Sequence, residues 1–523
     1  MISSLSHLTR LARTGYVFAR EGVFALVDTR TLPLGARTGI AIARLIERRT
    51  KKDSSGRLAA ALTKLGPTFV KLGQFMATRP DVVGTDIARN LESLQDRMAP
   101  FPQSEAEAVV VTALEKPVNE AYASFGPSVA AASVAQVHKA EIEKDGERRP
   151  VAVKILRPGI ARRFAADLDS FFFAARTAEA LSTEAQRLRP VEAVATLARS
   201  MAIEMDFRLE AAAASEMADN TKDDAEFRVP TVDWDRTARE VLTLEWIDGT
   251  PLNDRAALEA RGLDLPALGR NVIQSFLRHA LRDGFFHADM HPGNLFVDAD
   301  GRLVAVDFGI MGRLGQKERR FLAEILFGFI TRDYRRTAQV HFDAGYVPRH
   351  HSVDDFAQAI RAIGEPIHNR TAEDISMAKL LMLLFEVTGL FDMRTRPELL
   401  LLQKTMVVVE GVARTFDPKL DMWKTADPVV REWIARHLGP AGKLEGAFEG
   451  AGQVGGFLGQ VPSLLNRAGT LLDQIDDATR NGLVLSPETV AAIGKAEAHG
   501  NRWTAAGLWM IALMLGWIAW LIL

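Results

Sequence analysis

The sequence predicts an α+β, mainly helical, two-lobed fold with an N-terminal helical extension and a C-terminal transmembrane helix. Three observations carry this expectation. Short strand-like stretches lie at residues 134–142, 151–155 and 241–247, and a further pair at 295–297 and 303–306 flanks the turn formers Asp298, Ala299, Asp300 and Gly301. Helical spacing dominates elsewhere, as at Val272, Ile273, Phe276, Leu277 and Ala280, where Gly284 supplies a stop. Residues 503–523 carry no charge and include Trp503, Trp509, Trp517 and Trp520, and as a helix they span about 30 Å of hydrocarbon.

At 523 residues the chain is long enough for several structural units. Six segments follow from the pattern: a basic amphipathic N-terminal segment (1–57), a helical extension (58–116), a first lobe (117–247), a second lobe (248–439), a Gly/Ala-rich linker with helices (440–502) and the membrane anchor (503–523). The net charge of −2 gives no reason to expect a nucleic-acid partner. The absence of cysteine excludes disulfides, thiolate nucleophiles, Cys-ligated zinc and iron–sulfur clusters. The one adjacent histidine pair, His350 and His351, lacks a His-Glu-x-x-His frame and reads as a surface turn.

The chemistry concentrates at residues 287–294, His-Ala-Asp-Met-His-Pro-Gly-Asn, and at Asp307, Phe308 and Gly309. An Asp with an Asn five residues on, then a second Asp before Phe-Gly, is the spacing that holds a nucleophile and metal ions on a nucleoside triphosphate. Asp289 and Asn294 fall in a loop after a helix, and Asp307 at the end of a strand. Metal-dependent phosphoryl chemistry needs rigidly held oxygens at such places.

Residues 1–52 carry ten Lys and Arg against three acids, with Arg10, Arg13, Arg20 and Arg44 among apolar residues. Such a segment suits an anionic membrane surface, and equally a solvated helical extension; a transit peptide also fits the acid-free first twenty residues. An amphipathic helix then leads into Lys71, Leu72, Gly73 and Gln74. Residues 151–155 read as a strand with Lys154 near its end, placed to neutralise phosphate charge. Its partner on the helical stretch 204–210 is Glu204, with Glu210 in reserve. The strand 241–247 leaves Glu245, Trp246 and Ile247 as a linker whose backbone would meet adenine. Residues 450–455 match a dinucleotide glycine spacing, yet no strand precedes them, so a flavin or nicotinamide site is not expected.

Taken together, these residues resemble the UbiB family of atypical kinase-like proteins, also known as the ABC/ADCK-type ubiquinone-biosynthesis family. The resemblance runs from about Leu58 to Leu420. It rests on residues 71–74, the Ala-rich 130–138, 151–158, 204–210, 287–294, 307–309, and Glu410-Gly411 with Asp417-Pro418. It implies an atypical protein-kinase-like fold binding ATP or ADP with Mg²⁺. Lys154 would contact phosphates and pair with Glu204; Asn294 and Asp307 would hold Mg²⁺; Asp289 would stand where kinases keep the base. Ala130, Ala131, Ala132, Ser133 and Val134 would cover the nucleotide in place of a glycine loop, without glycine's ease at positive φ. Lys71 and Gln74, with Glu210, would regulate access.

The implied function is a membrane-anchored ATPase supporting ubiquinone biosynthesis, acting on a membrane lipid or polyprenyl phenol precursor or on the biosynthetic enzymes. A small-molecule or lipid kinase and a nucleotide-sensing scaffold are the alternatives. Arg480, Lys495 and Arg502 before the span place the catalytic part on the cytoplasmic side of a bacterial inner membrane; a mitochondrial inner membrane is the alternative.

Overall fold

The structure is a computed structural model and describes residues 2–26, 41, 44–48, 54–77, 87, 91, 94, 98–181, 186, 189–366, 387, 389–393 and 397–438. The expected membrane anchor (503–523), the linker (440–502) and the glycine decoy (450–455) lie outside the described residues. The chain divides into two compact units, 1–434 and 435–523, and only residues 435–438 of the second are described. Among the described residues no helix is long and apolar enough to cross a membrane.

The first lobe is built on an antiparallel sheet of four strands, β1 (Ser124–Ala131), β2 (Ala135–Lys144), β3 (Glu147–Leu156) and β5 (Val241–Glu245), in that spatial order. Asp145 and Gly146, both at positive φ, make the β2–β3 turn that the Asp-Gly pair predicts. Alternation along β3 divides its side chains between two cores. Val151, Val153 and Ile155 pack with Val241 against Val110 of helix α4 (Gln103–Leu114) and against Tyr122. Leu156 faces the other way, with Leu242 and Leu244, towards Leu197, Met201, Phe207 and Ala211. Lys154 shares that second face by the period of two, so the pleat aims the ammonium at the helices rather than at α4.

Those helices are α5 (Ile160–Leu181), α6 (Pro190–Glu204) and α7 (Phe207–Thr221). The stretch 204–210 reads as one helix from sequence but is broken in the structure. Asp206 is extended and accepts from the Arg208 amide, so it caps α7 just after α6 ends. The N-terminal extension is helical, with α1 (Ile2–Arg20), α2 (Ser54–Leu65) and α3 (Pro67–Ala77). Rather than standing free, α1 is tied to α5 by Arg10, whose guanidinium lies 2.8 Å from Asp167, and by His7 stacked on Phe173. Leu62, Leu65, Phe69 and Val70 join α2 to α3 through a shared core.

In the second lobe, α8 (Leu265–Arg278) buries Val272, Ile273, Phe276 and Leu277, as its spacing predicts. It ends in a π-turn at residues 279–283, stopped by Gly284 at φ +66. A Cβ at Gly284 would lie 2.5 Å from the Leu314 carbonyl, so this stop depends on glycine twice over. The short strands that follow are β7 (Phe285–His287), β8 (Leu295–Val297), β9 (Leu303–Ala305) and β10 (Met311–Arg313). β8 and β9 form the predicted hairpin, flanked by β6 (Thr250–Pro251) and by β4 (Phe227–Arg228), which runs parallel to β9. β10 returns antiparallel to β7, pairing Gly312 with Phe286. The longer helices that follow are α9 (Gln316–Thr331), α10 (Tyr334–Asp343), α11 (Val353–Gly364), α12 (Pro397–Phe416) and α13 (Met422–Leu438).

The β7–β10 pair fixes the two ends of the motif-bearing segment against each other, and its fit is tight. A Cβ at Gly312 would meet the Phe286 ring at 2.1 Å, and that ring is buried and packed edge-on against Phe276. Gly312→Ala is therefore expected to lower stability by about 1–3 kcal/mol through overpacking. Chemical denaturation of both proteins checks this; an unchanged midpoint would show that the ring has room to move.

Candidate nucleotide and metal site

The site is assembled where the two lobes meet. From β3, Lys154 reaches Glu210 on α7, with Nζ 2.8 Å and 3.0 Å from the two carboxylate oxygens, and stands 3.3 Å from Asp307 Oδ2. Its ammonium also lies over the Phe207 ring at 5.4 Å. Burial works against the charge on Lys154, but Asp307 and Glu210 outweigh it and hold the ammonium above its usual range. Burial likewise opposes ionisation of Asp307, yet Lys154 and the Gly309 amide, 3.0 Å from Oδ1, keep its carboxylate well below the ordinary range. Glu210 is the softer member. Burial pushes it up to about 7 against the pull of Lys154.

The loop after β7 supplies the other groups. Asn294 Nδ2 donates to Asp289 Oδ2 and to the Asp289 carbonyl, both at 3.1 Å. That orientation leaves the Asn294 side-chain oxygen, Oδ1, for another partner. The loop is held from both sides: His287 Nδ1 accepts from the Asp289 amide at 3.1 Å, and the Val306 amide donates to the Asn294 backbone carbonyl at 3.0 Å. His287 is buried against Phe308, ring centroids 5.7 Å apart, and burial holds its imidazole below the ordinary value. The Phe308 amide lies 3.4 Å from Glu210 Oε1, so one carboxylate contacts both Lys154 and the Asp-Phe-Gly turn.

One expected pairing is corrected. Lys154 pairs with Glu210, not with Glu204. Glu204 ends α6, where its carboxylate lies 2.7 Å from Lys71 Nζ of α3. Glu210 sits one turn into α7, on the face that buries Phe207, Ala211 and Ala214. The break at Asp206 turns these two acids into different neighbourhoods. Lys71 is thereby drawn to the acid that sequence assigned to Lys154, and α3 is anchored beside the site through Leu72 and Phe75, which pack on the same core as Phe207. Gln74 lies on the same helix, half-buried.

The Ala-rich stretch forms the turn between β1 and β2. Ala130 and Ala131 end β1, and Ala132, Ser133 and Val134 turn the chain into β2. Arg157 pins this turn, donating to the Ala132 carbonyl at 3.2 Å and to the Ser133 carbonyl at 3.3 Å, while the Met98 amide donates to Ala131 at 3.3 Å. In the linker, the Glu245 amide donates to Thr231 and the Trp246 amide to Pro150. Ile247 is the linker amide left without such a bond among the described residues. The Glu245 side chain binds Arg228 through both oxygens, at 3.0 Å and 3.1 Å, a structural task rather than a ligand-facing one.

Sequence reasoning missed Arg157 and Thr405. Thr405 Oγ1 on α12 donates to the Ala288 carbonyl at 3.0 Å, bracing the Asp289 loop from a helix more than a hundred residues downstream. Neither residue has a motif around it that marks this role.

Comparison with known proteins gives the family. Residues 93–341 match the ABC1 atypical kinase-like domain, and residues 360–421 match the UbiB helical domain. A Marinobacter nauticus protein named "Probable protein kinase UbiB" is 40% identical over 447 residues, covering 84% of this chain and 81% of that protein. The chain belongs to the UbiB family. A second UbiB relative of the same name, from Pseudomonas putida, is 38% identical over 490 residues, covering 91% of this chain and 89% of its own length. Among solved structures, the complex of Rv3197 with erythromycin from Mycobacterium tuberculosis superposes with a TM-score of 0.52 at 25% identity, over 75% of this chain and 98% of that one. The kinase-like fold read from the motifs is supported by the match of residues 93–341 to the ABC1 atypical kinase-like domain. The match to the UbiB helical domain takes in Thr405, so the brace on the Asp289 loop comes from that domain.

Proposed function

We propose that this UbiB-family chain binds and hydrolyses ATP with Mg²⁺, and that it does so beside a membrane in support of ubiquinone biosynthesis. The observation that carries the reading is the convergence of Lys154 and Asp307 at 3.3 Å with Asn294 bound to Asp289 at 3.1 Å. A hard divalent cation fits this donor set, since the Asp307 carboxylate and the Asn294 side-chain oxygen Oδ1 are both hard oxygen ligands. Bound there, Mg²⁺ would neutralise charge on the transferring phosphoryl group. Lys154 would bind phosphate oxygens while Glu210 keeps its ammonium in place. Asp289, held by Asn294, would orient the attacking hydroxyl or water and accept its proton. Ala130 to Val134 would cover the phosphates, and the linker at Ile247 would meet adenine.

Water as the acceptor is favoured by α3. Lys71 pairs with Glu204 and Leu72 packs on the core that holds Phe207, the ring under the Lys154 ammonium, so α3 takes up space on that side of Lys154 that a long peptide would need. The experiment is to follow the labelled γ-phosphate of ATP with purified protein in vesicles containing polyprenyl phenol. Free phosphate is the expected product. Label appearing on the lipid or on protein would replace the ATPase reading with that of a lipid or protein kinase, and no turnover with intact binding would favour a nucleotide-sensing scaffold.

The tether to the bacterial inner membrane is proposed to be residues 503–523, with the catalytic unit on the cytoplasmic side. Deleting them is expected to move most of the protein to the soluble fraction, and any remainder held by basic residues should be released by salt. Full membrane retention of the truncated protein in high salt would argue against a terminal anchor.

A further inference from the structure

Outside the cleft, the turn between α10 and α11 presents His350 and His351 as the sequence suggests, but it is not a plain surface turn. Asp392, in the turn after Phe391 and 41 residues beyond His351, faces both rings. His351 Nε2 lies 3.3 Å and His350 Nε2 3.7 Å from the same oxygen, Asp392 Oδ2. One donor atom from each of the three residues lies within 4.8 Å of the other two. Donors sharing a tetrahedral ion at zinc bond lengths stand about 3.3–3.5 Å apart. The two His–Asp edges therefore already approach the spacing that an ion would impose.

The backbone under these residues is well held. Phe391 is buried against Phe356, ring centroids 4.9 Å apart, and against the His351 ring at 5.3 Å. The His351 amide donates to Pro348, and Ser352 caps α11 through the Asp355 amide. Asp392 occupies the left-handed region at φ +48, and its carboxylate lies against both histidines. A simple ion pair would use one imidazole for one carboxylate; here two imidazoles, ring centroids 4.1 Å apart, converge on a single oxygen.

The geometry points to a binding site for a divalent transition-metal ion, best suited to Zn²⁺, formed by His350, His351 and Asp392, with water completing the shell. Two imidazoles and one carboxylate match the ligand preferences of Zn²⁺, whereas Mg²⁺ and Ca²⁺ take oxygen donors. His350 and Asp392 are exposed, so the ion would enter directly from solvent. Its effect would be to staple the chain on either side of residues 352–391, restricting that loop in the unfolded ensemble and raising stability when bound. The site is separate from the nucleotide cleft and does not depend on the ATPase reading.

The test uses the full chain stripped with EDTA and then kept in excess Mg²⁺, so that hard-oxygen sites are already satisfied. Co²⁺ is titrated as a spectroscopic probe and displaced with Zn²⁺, with calorimetry giving stoichiometry and thermal denaturation giving the shift. One saturable equivalent is expected, together with visible cobalt absorption and a raised Tm. A His350→Ala/His351→Ala double variant should lose all three, and Asp392→Asn should bind more weakly while folding normally. Absence of saturable binding in the parent chain, an unchanged equivalent in the double variant, or undiminished affinity in Asp392→Asn would each overturn the three-ligand site.

Discussion

Asp307→Asn is expected to abolish Mg²⁺-dependent nucleotide binding and to reduce ATP turnover at least about 10³-fold, a loss near 4 kcal/mol of transition-state stabilisation. The substitution nearly preserves shape and removes charge. Asp307 contacts Lys154 at 3.3 Å and accepts from the Gly309 amide, so an amide in its place weakens the hold on Lys154 and deprives a metal of its one carboxylate from this turn. The triphosphate would then enter a partly dehydrated cleft with its charge poorly neutralised. Thermal shift with Mg²⁺ and ADP, measured on both proteins, checks binding separately from turnover. An undiminished shift in the variant would move the metal site elsewhere.

The second large effect separates two acids that are six residues apart. Glu210→Gln should lower turnover about 10²-fold, because Glu210 holds Lys154 through two contacts and also reaches the Phe308 amide. Glu204→Gln should leave the Lys154 hold intact and instead weaken the tie between α6 and Lys71 of α3, so turnover is expected to stay level or rise. The pH dependence supplies a further sign. With Glu210 pushed up to about 7, its full charge is present only above neutrality, and wild-type turnover should climb between about pH 6 and 8. Glu210→Gln should lose that step. Because the folded value is raised above the unfolded one, protonated Glu210 favours the fold at low pH and this contribution is lost as pH rises through 7. The Gln variant should therefore lose less stability than wild type between pH 5 and 8, and equal slopes would contradict the raised value.

The contrast between these acids shows how far sequence carries the account. The β2–β3 and β8–β9 hairpins, the α8 helix with its Gly284 stop, and the Asp289, Asn294 and Asp307 constellation were legible because each is a local pattern with its own turn chemistry. The choice between Glu204 and Glu210 was not, since both lie in what reads as one acidic helical stretch. Asp206 was the signal. As a helix cap it starts a new periodicity, in which Glu210 falls on the buried face with Phe207, Ala211 and Ala214. Thr405 and Arg157 were beyond such reading, because the groups they hold are backbone carbonyls and a carbonyl leaves no trace in sequence. Asp392 escaped for a different reason: its pairing with His350 and His351 exists only once the Phe356 and Phe391 core has closed.

The N-terminal segment illustrates a subtler limit. Its basic amphipathic pattern is compatible with a membrane surface, with solvent or with another helix, and periodicity alone does not distinguish them. In the structure Arg10 is drawn to Asp167, and His7 stacks on Phe173, so part of the stripe faces α5. Arg13 and Tyr16 remain exposed on the same helix.

The Lys154, Asp289, Asn294 and Asp307 site is proposed to act on ATP in support of ubiquinone synthesis. Quinone content, measured by lipid extraction from a strain whose gene is deleted and then complemented, tests it most directly. Low ubiquinone is expected in the deletion strain, with restoration by the parent chain and failure of Asp307→Asn and Lys154→Ala at equal membrane abundance. Full restoration by Asp307→Asn, or normal ubiquinone in the deletion strain, would contradict it.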